Sequence, residues 1–140
     1  MYSKIWAIIT NEVYSIAEDI DGNIWLGTNK GILVYYNPSG VFDGDNFYAQ
    51  QIIVPRNDGS NNGDALLGTE SVSAIAIDGG NRKWLGTKNA GVSLVSDDGL
   101  TQIHNFTAEN SPLLSNSITS IAINNNNGEV FFGTGKGIIS

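Results

Sequence analysis

Cysteine is absent from this chain, histidine occurs once, and proline three times against 17 glycines. Without cysteine there is no disulfide, thiolate metal site or thiol nucleophile, although that absence does not fix the cellular compartment. The single histidine, His104 in TQIHNF, falls where an outer strand is expected and reads as a structural residue. Any Ser-His-Asp set would have to be built on it, so catalysis finds little support. Basic residues number 7 against 14 acidic ones, a net charge of −7, which argues against the concentrated basic patch that nucleic acid requires. No apolar run approaches the roughly 20 residues of a membrane helix. MYSKIWAIIT is too short and polar-flanked for a signal peptide, so an export signal is expected outside this chain. There is no G-x-S-x-G elbow, and Gly133–Ile138 (GTGKGI) lacks phosphate-loop spacing and reads as a β-turn. Asp19-Ile-Asp21-Gly22 opens like a calcium loop but lacks the later ligands, so it reads as a hairpin turn. Neither a metal nor a cofactor is expected.

What the chain does have is repetition. VYSIAEDIDGNIWLGTNKGILVYY from Val13, VSAIAIDGGNRKWLGTKNAGVSLVS from Val72 and ITSIAINNNNGEVFFGTGKGIIS from Ile118 align on a Gly-Thr pair. The interval from Gly86 to Gly133 is 47 residues, which suits a four-stranded propeller blade. That from Gly27 to Gly86 is 59, and the surplus is assigned to the polar stretch Pro55–Glu70. Each copy reads as strand, turn, strand, turn, strand. Period-two alternation marks the first strand, and Asp21–Gly22, Gly79–Gly80 and Asn127–Gly128 supply the hairpin turns. Outer strands are drawn at Phe47–Val54 and Leu100–Phe106, with Lys4–Ile9 as an extra strand. The expectation is an all-β fold of three propeller blades, at about 13–54, 72–106 and 118–140. Trp25, Trp84 and Phe131 are expected in the core between blades, and Gly27, Gly86 and Gly133 where sheets approach closely.

The pattern V-x-S-I-A-x-D-x-x-G-x-x-W-L-G-T-x-x-G-I resembles the two-component-regulator propeller repeat. The third copy departs from it, with Asn124–Asn127 in place of the acidic turn and Phe-Phe in place of Trp-Leu. Such repeats occur in extracytoplasmic sensor regions of Bacteroidetes hybrid histidine kinases and in Por (type IX) secretion-system propeller proteins. The resemblance implies an exported, non-enzymatic module that senses a ligand or docks a protein, with a glycan or other anionic cell-surface polymer as ligand. An alternative is a purely structural or docking propeller. Another is an enzyme similar to streptogramin lyases, whose repeats are alike; that would need a general base in the central mouth.

Three of the lysines fall in equivalent turns: Lys30 with Asn29, Lys88 with Asn89, and Lys136. In a four-stranded meander these turns share an end of the sheet with the inter-blade connection, which carries Arg56 and Asn57. A cationic arc for ligand binding is one reading, and solubilising charge in exposed turns is the other. A propeller needs at least four blades to close, so the chain is expected either to be part of a longer propeller or to self-associate.

Overall fold

The computed structural model describes residues 12–36 and 49–140, within which every regular element is a strand. The first sheet runs β1 (Val13–Glu18), β2 (Ile24–Thr28), β3 (Gly31–Tyr35), β4 (Gln50–Gln51). β5 (Ile53–Pro55) and β6 (Gly63–Ala65) form a separate hairpin. The second sheet runs β7 (Val72–Ile77), β8 (Lys83–Thr87), β9 (Val92–Val95), β10 (Gln102–Phe106). The third has β11 (Ile118–Ile123), β12 (Val130–Thr134) and β13 (Gly137–Ile139). Spatial order equals chain order and every pair is antiparallel, which is the meander of a propeller blade.

Local chemistry sets that meander. At the first turn of blade 1 the Asp19 carboxylate accepts the Asp21 and Asn23 N–H groups, leaving Gly22 in the left-handed region at φ 86°. In blade 2, Asp78 accepts from Gly80 and Arg82 in the same way, and Asn81 takes the left-handed position at φ 63°. At the second turn the Thr of each Gly-Thr pair donates its hydroxyl to the carbonyl of the turn's closing glycine: Thr28 to Gly31, Thr87 to Gly91, Thr134 to Gly137. The innermost strand carries a bulge at one place in every blade, between Val13 and Ser15, Val72 and Ala74, and Ile118 and Ser120.

Two expectations about the outer strands are revised. Of Phe47–Val54, residues 47 and 48 lie outside the described residues, and the remainder divides. Gln50–Gln51 stays on β3, Ile52 turns into the core beside Trp25, and Ile53–Pro55 leaves to pair with β6. The polar surplus therefore contains a hairpin and a connector. The outer strand of blade 2 begins at Gln102 instead of Leu100. The expected strand at Lys4–Ile9 lies outside the described residues.

Blades stack face to face. Trp25, Ile32, Val34 and Ile52 of blade 1 bury against Val72, Leu85 and Val95 of blade 2. Val92, Trp84 and Phe106 of blade 2 meet Ile118, Ile121 and Phe132 of blade 3. The residue that opens each blade seats on the preceding blade's glycine: a Cβ on Gly27 would lie 2.6 Å from the Val72 carbonyl oxygen, and one on Gly86 2.5 Å from Ile118 Cγ2. Among the described residues, equivalent positions of the repeat differ in exposure. Ile32 and Val92 are 1% and 0% exposed, but the equivalent Ile138 is 71% exposed. Val72 and Ile118 are 0% and 1% exposed, but the equivalent Val13 is 47% exposed.

Trp25 is buried as expected, in one cluster with Ile52 and Leu66 and with Gly99 close to the edge of its ring. Trp84 and Phe131 depart from the expected burial and are only half-buried. Trp84 stacks on Phe106 at 5.9 Å and tilts against Phe132 at 5.8 Å, but a cavity of about 280 Å³ remains beside it. Phe131 occupies the face of blade 3 that meets no other blade among the described residues.

Candidate functional site

The second turns of all three blades lie at one end of the stack, each tied to its own blade's entrance. Asn29 N–H donates to the Glu12 carbonyl, Lys88 N–H to Ser71, and Gly135 N–H to Ser117. The first two turns are also tied to the next blade's entrance, Gly31 N–H to Glu70 and Gly91 N–H to Asn116. This brings Lys30, Lys88 and Lys136 to the same end, all exposed. Lys88 Nζ rests 3.6 Å from the Tyr14 ring centroid, a cation–π contact between blades 1 and 2. The Asn29 side chain donates to Glu12 at 3.1 Å, and Asn89 is exposed.

The hairpin residues sit differently. Arg56 makes a two-pronged ion pair with Asp64, Nε to Oδ2 at 3.0 Å and Nη2 to Oδ1 at 2.9 Å, so its charge is already matched. Asn57 is a turn residue at φ 57°. Inside the hairpin and its connector opens a groove of about 660 Å³, whose polar lining includes Asp64, Thr69, Glu70, Ser93, Gln102 and Asn105. Ala90, from the second lysine turn, also lines it. Asn105 is fixed there by donating to the Val92 carbonyl at 3.3 Å and the Ser93 hydroxyl at 3.4 Å. The turn that carries Lys88 thus borders the groove through Ala90, and Arg56 belongs to the groove only through its partner.

At the opposite end, where the first turns lie, the structure shows an arrangement that reading the sequence missed. Asp19 accepts from Trp25 Nε1 at 2.9 Å, and Lys83 of the next blade enters the same place. Lys83 is fully buried. Its Nζ donates to the Asn81 and Asp97 carbonyls at 2.9 and 2.7 Å, lies 3.3 Å from Asp19 Oδ2, and stands 4.6 Å from the Trp25 ring centroid. Burial on its own would raise the Asp19 pKa. The hydrogen bonds from Trp25, the Asn23 backbone and Lys83 outweigh it and hold the carboxyl below its ordinary value. Asp78 repeats the contact with Trp84 Nε1 at 3.2 Å, but its cation is Arg82 of its own blade, Nε to Oδ2 at 2.8 Å. There too burial opposes ionisation, and bonds from the Arg82 backbone, Trp84 and Gly80, with the Arg82 charge, keep the pKa low. In blade 3 the carboxylate and the indole N–H are lost together, as Asn124 and Phe131. The available signal was the constant six-residue spacing of Asp19 to Trp25 and Asp78 to Trp84.

His104 is exposed on β10, the outermost strand of blade 2, its ring 5.4 Å from that of Phe106. Among the described residues no three His, Cys, Asp or Glu side chains converge as metal ligands, and no helix is long and apolar enough to cross a membrane.

Residues 7–30 match the two component regulator propeller family. The chain is similar to PorZ, an essential bacterial surface component of the type-IX secretion system of Porphyromonas gingivalis. That match has 35% identity over 90% of the chain and a TM-score of 0.83. It is also similar to the extracellular domain of a hybrid two component system from B. thetaiotaomicron, with 26% identity over 91% of the chain and a TM-score of 0.67. The chain spans 17% of the first of these and 15% of the second. No protein of curated function matches it.

Proposed function

From the premise that this chain is built of two-component-regulator propeller blades, we propose that it is a non-enzymatic recognition module working outside the cytoplasm, with a glycan as its ligand. The observation that carries this reading is the groove beside the lysine turns. Its hydroxyl, amide and carboxylate groups suit the hydroxyls of a sugar chain. Lys88, on the turn that rims the groove, adds a cation for an acidic sugar. The surface location and the sensing role come from the relatives, the one a surface component and the other an extracellular domain. His104, on an outermost strand, gives no support to a lyase.

Calorimetric titration with neutral and uronic-acid oligosaccharides tests the proposal. Binding that Asn105→Ala weakens is the expected outcome. The triple variant Lys30→Gln, Lys88→Gln, Lys136→Gln should lower affinity for the acidic sugars only, and added salt should do the same. No heat with either class overturns the proposal.

A further inference from the structure

The first-turn end of the molecule contains one cleft in two versions, one filled and one open. Between blades 1 and 2 the cleft is occupied by the Lys83 ammonium, received by the Asp19 carboxylate, two backbone carbonyls and the face of Trp25. Between blades 2 and 3 two of the receiving groups recur, the turn carboxylate and the indole of the tryptophan. Asp78 is almost fully buried and again accepts the indole N–H of its tryptophan. The residue at the Lys83 position, however, is Val130, which opens its strand just as Lys83 does. Its short side chain leaves a cavity of about 300 Å³ whose lining includes Asp78, Arg82, Trp84, Ile123, Gly128 and Val130. Gly128 stands two residues before Val130, as Asn81 stands two before Lys83, so its carbonyl is placed to take the part played by that of Asn81.

We propose that this second cleft is a binding site for a primary ammonium on a short alkyl arm, the group that Lys83 itself places in the first. The ligand class is a lysine side chain or a comparable aliphatic amine. This inference concerns the end opposite the glycan groove and does not rest on that reading. The apparent obstacle is Arg82, already on Asp78 Oδ2. The first cleft shows how both are accommodated. Asp19 Oδ2 takes Trp25 Nε1 at 2.9 Å, the Asn23 amide at 3.4 Å and Lys83 Nζ at 3.3 Å together. Asn23 sits where Arg82 does, immediately before the strand. Arg82 is half-exposed, and an ion pair in that setting is weakly held, so an incoming ammonium shares or displaces it. A long arm is needed because the amine must pass Val130 to reach a carboxylate below the surface, and a compact cation such as ammonium itself would forgo the apolar contact with Trp84.

The test uses this chain with Nα-acetyl-lysine methylamide, and the same compound acetylated on its ε-nitrogen, while the Trp84 indole N–H resonance is followed by NMR. The free amine should shift that resonance with a Kd on the order of a millimolar, as befits a small ligand, and the acetylated compound should not. Val130→Lys fills the cleft from within, as Lys83 fills the first, so this variant should raise the melting temperature and abolish the response. Arg82→Asn recreates the composition of the first cleft and should tighten binding several-fold. Asp78→Asn should weaken it at least tenfold if the variant folds, and the other two variants decide the matter if it does not. No shift up to saturating amine, an equal response to both compounds, or a response that survives Val130→Lys overturns the proposal.

Discussion

The junction between blades 1 and 2 and that between blades 2 and 3 start from the same parts and end differently. Each brings together a tryptophan, a turn aspartate hydrogen-bonded to its indole, a Gly-Thr strand end and the β-branched residue of the next blade. In the first junction the cation crosses from one blade to the other, and Ile52, Leu66 and Gly99 seal the tryptophan. In the second the cation stays within its blade, and the tryptophan borders two cavities. One junction is closed by chemistry that neither blade possesses alone. The other leaves equivalent chemistry accessible. The same repeat thus joins blades in two ways, and the residue that opens the second strand, Lys83 or Val130, is one of the differences between them.

Substitution of the tryptophans probes this difference most strongly. Trp25→Ala should cost about 3–5 kcal/mol in chemical denaturation, and Trp84→Ala clearly less, because its ring is only half-buried and its site already has free space. Equal losses would break the comparison. Next come the cations. Lys83→Met leaves the Asp19 carboxylate buried without its partner and should cost about 3–5 kcal/mol, most of it restored when Asp19→Asn is added, as a double-mutant cycle would show.

Smaller effects sharpen the contrast. Gly86→Ala drives a Cβ into Ile118 and should cost about 1–3 kcal/mol. Gly133→Ala meets only the flexible Ser120 and Thr119 side chains of its own blade and should be milder. Acid should then loosen the junctions. Asp19 and Asp78 have folded-state pKa values below the ordinary value, so their stabilisation is complete above the unfolded pKa of about 4 and is lost as pH falls through the lower folded values. Urea unfolding at pH 6 and pH 3 should show the loss, with the Asp19 share absent from a variant carrying Asp19→Asn. The smallest effect belongs to Arg82→Met, about 0–1 kcal/mol because the pair is half in water. A loss as large as that of Lys83→Met would show that the two junctions are locked alike.

Much of this fold is legible in the residues. The Gly-Thr pairs mark the ends of the second strands, Asp21–Gly22, Gly79–Gly80 and Asn127–Gly128 mark the first turns, and the alternation of Val13 to Glu18 marks an inner strand. The outer strand of blade 1 was less legible. The run from Gln51 to Val54 reads as one extended segment, and only the burial of Ile52 beside Trp25 shows why the strand breaks there. Of the site residues, the lysine turns were visible because all three lysines fall in the turn that follows a Gly-Thr pair. The groove beside Lys88 was not, since it is shaped by a hairpin whose path no local pattern gives. Lys83 was hidden for a further reason. In Asn-Arg-Lys-Trp a lysine looks like the solvent-facing partner of an arginine, yet Arg82 is the exposed one and Lys83 the fully buried one.

By itself the sequence determined the all-β character, the order of strands within each blade and the chemistry of the turns. Those features depend on hydrogen bonds between residues a few positions apart and on the two-residue period of an extended chain. Only the tertiary structure decided which tryptophan is sealed, which aspartate receives a cation from its neighbour and which cleft stays open. Asp19 and Lys83 are 64 positions apart in the chain yet 3.3 Å apart in space. The strength of a buried charge contact depends on that separation and on the exclusion of water, and stacking alone sets both.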